Sequence, residues 1–171
     1  YWRVNNMSKK DQIKYTLLHR RAIKAIIDIY CPDDYKNELY ERQKDHDMDK
    51  VVMNLIGVPF EDIKKIHRLH NTHHYNEGNA YTKADYIEMI IDWESARYTK
   101  DDKPFNAYDT LVKFYPNLTN EIAPILKEMN LYTEDNTKNE EVVSLINNNI
   151  TDQDIQEEIN KYLDRKLKNL N

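Results

Sequence analysis

Apolar residues recur at helical spacing along nearly the whole chain. After Ser8, a residue suited to capping, Ile13, Leu17, Ile23 and Ile27 share one face of a segment from Lys9 to Tyr30. CPDD then marks a turn, with Asp33 or Asp34 opening a second helix that carries Tyr35 and Leu39 and reaches the His46 region. DHDMDKVVMNLIG continues as helix or after a short break, and Gly57-Val58-Pro59 closes it. Residues 60 to about 75 form a third segment with Ile63, Ile66 and Leu69, followed by a loop over 76–79.

The clearest buried helix spans 82–98, where Tyr86, Met89, Ile90 and Trp93 form a stripe beside Ile87 and Ile91. A charged loop over 100–104 leads to shorter helices near 106–115 and 119–129, and 133–140 reads as loose and polar. In the last segment Ile155, Ile159, Leu163 and Leu167 recur at four-residue steps. No strand series and no repeat is visible. The expected architecture is all-α: a compact bundle over 8–131, a polar linker over 132–151 and an amphipathic helix over 152–171. The stripe of that helix is suited to packing on the domain, on a second copy or on a protein partner.

Composition narrows this picture. Only two glycines and five prolines occur among 171 residues, which favours long helices over tight-turned sheet. A net charge of −5 without a concentrated basic face argues against nonspecific nucleic-acid binding. The single cysteine, Cys31, excludes an internal disulfide framework and suits a reducing cytoplasm. No apolar run approaches a membrane span, so a soluble, cytoplasmic protein is expected. Met7 reads as the native start, with residues 1–6 as a leader outside the fold argument.

The candidate chemistry lies in separated places. His19 sits among apolar neighbours, His46 and Asp47 form a pair, and Asp92 stands between Ile91 and Trp93. A carboxylate in such surroundings needs a cation, a donor network or a metal. Taken singly each has an ordinary reading: a core histidine, a solvated DHD run, an aspartate paired with Arg97 or Arg20. Together, imidazole nitrogens and carboxylate oxygens suit a divalent ion such as Fe, Mn, Co, Ni, Mg or Zn.

The order His, His-Asp, Asp resembles the HD-domain superfamily of metal-dependent phosphohydrolases. HDMDK (46–50), HNTHH (70–74) and EMIIDW (88–93) are similar to motifs of a small bacterial and phage HD-like family, over roughly residues 10–130. The resemblance implies an HD-like helical bundle in which His19, His46, Asp47 and Asp92 hold one ion that activates water. Lys50 would face a phosphate or pair with Asp49 or Glu94. Further histidines between HD and the last Asp add a second metal position in some HD proteins, and His70, His73 and His74 match that placement.

His74 is accordingly expected on metal, His70 and His73 on the second ion or on substrate, and His67 as incidental. Arg20, Arg68, Glu77 and Glu88 are further candidates for substrate or supporting contacts. The implied activity is hydrolysis of a nucleotide or other small phosphoester with one or two divalent ions. An HD-fold diiron oxygenase and a noncatalytic partner-binding protein are the alternatives. The Gly-Tyr-Pro signature of the cyclic-dinucleotide enzymes is absent.

Overall fold

The computed structural model describes residues 7–102 and 105–170, so the leader over 1–6, part of the 100–104 loop and Asn171 lie outside the described residues. Helix α1 (Lys9–Tyr30) starts where Ser8 Oγ accepts from the Asp11 amide. It buries Ile13, Leu17, Ile23, Ile26 and Ile27. Helix α2 (Asp33–Asp45) is capped by His46, and α3 (Met48–Leu55) begins after Asp47. The break anticipated in DHDMDK is Asp47, whose φ of +59° is left-handed. Helix α4 (Phe60–His70) follows Gly57, itself at φ +87°.

Helix α5 (Lys83–Thr99) opens with a capping box between Thr82 and Asp85. Ile87, Met89, Ile90 and Ile91 are all fully buried, so apolar contact surrounds this helix on several sides. It packs along α1, and both contact α2. Helix α6 (Ala107–Phe114), a 3₁₀ turn (Pro116–Leu118) and α7 (Thr119–Glu128) close one end. Leu111, Ile122 and Leu126 join the core of α1 and α5 there. Full burial of a side chain of this size contributes about 1.5–3 kcal/mol, so this shared core fixes the frame of the site. No strand occurs among the described residues, and no helix of theirs is long and apolar enough to cross a membrane.

Two expectations need correction. The third helix stops at His70, not near 75. Asn71 takes an extended conformation and its Nδ2 donates back to the His67 carbonyl at 2.8 Å, while Asn76 Nδ2 donates to the Arg68 carbonyl at 2.9 Å. The segment 132–151 contains a short helix, α8 (Glu140–Leu145), whose Val142 is fully buried in the main core. Six residues with one buried side chain leave no periodic signal, and part of the anchoring comes from elsewhere. Arg97 Nη1 of α5 donates to the carbonyls of Asp135 and Thr137.

The last helix, α9 (Asp152–Lys168), buries apolar side chains on the domain mainly through its first half, and its second half meets α2 through Arg165. Ile159 and the half-buried Ile155 meet Ile13, Leu17, Met48 and Val51. Leu163 and Leu167 are 44% and 60% exposed.

Candidate metal centre

His19 projects from α1, Asp92 from α5, and His46 and Asp47 from the break between α2 and α3. Arg20 builds that break. Buried at 4% exposure, it donates to the carbonyls of Gln43 (3.1 Å), Lys44 (2.5 Å) and His46 (2.8 Å). They lie at the end of α2, where helix geometry leaves carbonyls short of backbone donors; among these three only that of Gln43 also accepts a backbone amide, from His46. With the α2 end held, the left-handed turn at Asp47 carries His46 and Asp47 inward together.

The four side chains converge. His19 Nε2 lies 2.9 Å from Asp92 Oδ1, 3.2 Å from His46 Nε2 and 3.4 Å from Asp47 Oδ2. His46 Nε2 lies 3.2 Å from Asp92 Oδ1. Ligand atoms about 2.0–2.2 Å from one ion stand roughly 2.9–3.5 Å from each other, and these distances fall in that range.

A second set shares Asp47. Its Oδ1 is 3.1 Å from His67 Nε2 and 3.2 Å from His73 Nε2, and those two nitrogens are 3.2 Å apart. Despite the short distances, Asp47 Oδ1 has no partner in hydrogen-bond geometry, and neither has the buried Nε2 of His74. The donor atoms point at a common space more than at each other. His67, His73 and His74 form a possible ligand group, as do His19, His46, Asp47 and Asp92, and also His46, His73 and Glu88.

The outer ring nitrogens explain why the inner ones are available. His46 Nδ1 and His73 Nδ1 each donate to Glu88 Oε2 at 3.0 Å. His67 Nδ1 donates to Asp49 at 2.8 Å. His19 Nδ1 donates to Ser95 Oγ at 3.1 Å, whose own hydroxyl donates to the Asp92 carbonyl. A neutral imidazole with its proton on Nδ1 presents a lone pair at Nε2, the arrangement typical of metal-binding histidines. Two buried lone pairs 3.2 Å apart repel unless a cation or a proton lies between them.

The charge state follows from this crowding. Burial opposes ionisation of Asp47, but Lys50 and His46 outweigh it and hold its carboxyl well below the usual range. Asp92 is also held well below, because His19 and His46 outweigh its burial. Burial likewise opposes the charged form of His46, yet Asp47, Asp92 and Glu88 push it up to about 10. His74 has less carboxylate nearby, and burial drops it to about 3.

The structure brings together His19, His46, Asp47, Asp92, His73 and His74. It does not bring His70, which is exposed at the last position of α4. His67, expected to be incidental, is in the centre at 1% exposure. The signal for it was its place one turn after the buried Ile63, on the inward face of α4.

Lys50 pairs with Asp47 Oδ2 at 3.1 Å and is 31% exposed, so it stands at the rim. Glu94 is occupied by Arg97 and the Ala107 amide instead. Arg20 and Glu88 support the ligands, whereas Glu77 is exposed and Arg68 offers its carbonyl to Asn76. The side chains of His19 and Asp92 are 12% and 16% exposed, against 0% for His46 and 1% for His67. The centre therefore opens to solvent beside His19, Asp92 and Lys50. No family model, curated protein or solved structure matches this chain.

Proposed function

We propose that this chain is a metal-dependent phosphohydrolase of the HD type, acting on a nucleotide or other small phosphoester. The observation that carries the reading is the shared carboxylate of Asp47, with one imidazole set on each side and nearly every outer ring nitrogen bound to an acceptor. This donor set fits two divalent ions, one on His19, His46, Asp47 and Asp92, the other on His67, His73 and His74 with Asp47 Oδ1 beside the first two. Bound ions would supply Lewis acidity and a lowered pKa for water at the reacting phosphorus.

The chain's own residues do the rest. The carboxylates of Asp47 and Asp92 offset the ions' charge, and Lys50 at the rim supplies a positive charge to a phosphate oxygen.

The test is metal analysis, then a screen of phosphoesters with Mn, Co, Ni and Fe. We expect metal uptake and hydrolysis in the wild type and loss of both in Asp47→Ala. Full activity in that variant would refute the assignment. The two-set arrangement on N and O donors also suits a diiron oxygenase. O₂ consumption by iron-loaded protein, with no phosphate release, would decide for it. A protein with no metal affinity would leave a noncatalytic binding role.

A further inference from the structure

One carboxylate outside both ligand groups of the proposed two-ion centre touches a histidine in each. Glu88 Oε2 accepts from His46 Nδ1 on one side and His73 Nδ1 on the other, at 3.0 Å each. Its second oxygen is taken by Arg42 Nη1 at 3.2 Å. Arg42 is itself held by Asp85 at 2.7 Å and Glu38 at 3.0 Å. At 7% exposure Glu88 has little water to turn to.

We infer that Glu88 is a positioning residue that prepares both half-sites at once, by keeping the protons of His46 and His73 on Nδ1 and their Nε2 lone pairs toward two different ions. The inference rests on the metal reading above. A glutamate in this position accepts on both oxygens, so neither ring can turn a lone pair toward it without losing a hydrogen bond. Arg42 fixes which oxygen serves the rings. A histidine whose outer nitrogen is held this way is also fixed in ring orientation.

The isosteric amide shows how strict this is. In Glu88→Gln, an oxygen facing the rings leaves the NH₂ against the Arg42 donor. The reverse orientation sets the NH₂ against both Nδ1 atoms, which then need lone pairs, and the ring protons move to Nε2 where the ions belong. Either orientation penalises both half-sites. A residue that merely filled space would tolerate the change.

The experiment titrates the wild type, Glu88→Gln and the shorter but still charged Glu88→Asp with Zn²⁺, with circular dichroism to confirm the fold. Alongside, nitrogen–proton spectra of the zinc-loaded imidazoles locate each ring proton. We expect two ions in the wild type, with the protons of His46 and His73 on Nδ1. Both binding steps should weaken about 10–100-fold in Glu88→Gln, and less in Glu88→Asp.

A Glu88→Gln protein that binds both ions as before, or loses only one, overturns the inference while the wild-type uptake sustains the metal reading. A ring proton on Nε2 of either histidine in the loaded wild type also overturns it, whether or not the variants fold. Uptake of a single ion by the wild type removes the paired role. Uptake of none removes the metal reading and this inference together.

Discussion

Asp47 is both a ligand candidate and a backbone outlier, and substitution can separate the two roles. Its φ of +59° is costly for most residues, by about 1–2 kcal/mol, but asparagine adopts it readily. Asp47→Asn and Asp47→Ala should both lose metal. In urea unfolding of the metal-free proteins, Asp47→Ala should be the less stable by about 1 kcal/mol. His46 gives a pH prediction. Because it is held protonated up to about 10, an ion must displace that proton to reach Nε2. Asp47 and Asp92 are already ionised near neutral pH and add nothing to the slope there. Apparent Zn²⁺ affinity should therefore rise between pH 6.5 and 8, by up to about tenfold per unit for one displaced proton, with proton release seen in weakly buffered titrations. An affinity flat across that range would contradict a protonated His46.

Among elements, α9 matters most, because it reaches the ligand-bearing break from outside. Glu158 pairs with Arg20 Nη1 at 3.1 Å, and Arg165 meets Asp45 at 2.9 Å and the Lys44 carbonyl at 2.7 Å. Arg20→Met would take its donor from the His46 carbonyl and leave Glu158 without its arginine, while the Lys44 carbonyl keeps Arg165 and the Gln43 carbonyl keeps the His46 amide. Unfolding in urea should show a loss of about 2–4 kcal/mol, since each buried unsatisfied group costs about 1–3 kcal/mol and some rehydrate. Arg20→Lys should recover only part, because a lysine cannot span three acceptors in one plane. This element was legible in the sequence as an amphipathic helix starting at Asp152, although its cap at Thr151 was not read there. Its partner was not, because the apolar stripe does not say what covers it and the ion pairs of Glu158 and Arg165 leave no periodic trace. The histidine box shows the same limit. Helical spacing groups His67, His70 and His74, but the helix stops at His70, and a turn set by Asn71 delivers His73 and His74.

At the scale of the molecule, the all-α architecture followed from apolar spacing alone, since the α1 and α5 stripes are what their core buries. The scattered candidate ligands His19, His46, Asp47 and Asp92 were also picked out in the sequence, by type and order, and the structure brings them together. Their closeness depends on α1 and α5 packing side by side, which spacing does not encode. That packing holds anionic and lone-pair groups against one another, so a bound cation should stabilise the whole fold. At a free ion concentration of 100 times Kd, one site adds about 2.7 kcal/mol, or roughly 5–10 °C in Tm for a chain of this size. Thermal scans with Zn²⁺ or Mn²⁺, reversed by a chelator, check this, and an unchanged Tm would count against the site. The shared carboxylate of Asp47 also carries a magnetic consequence. Two Mn²⁺ ions joined through its oxygens would exchange-couple their unpaired electrons, so fully loaded protein should give a weak electron paramagnetic resonance signal near zero temperature. The six-line pattern of isolated manganese should appear at half loading if the ions bind one at a time, and fade as the second arrives.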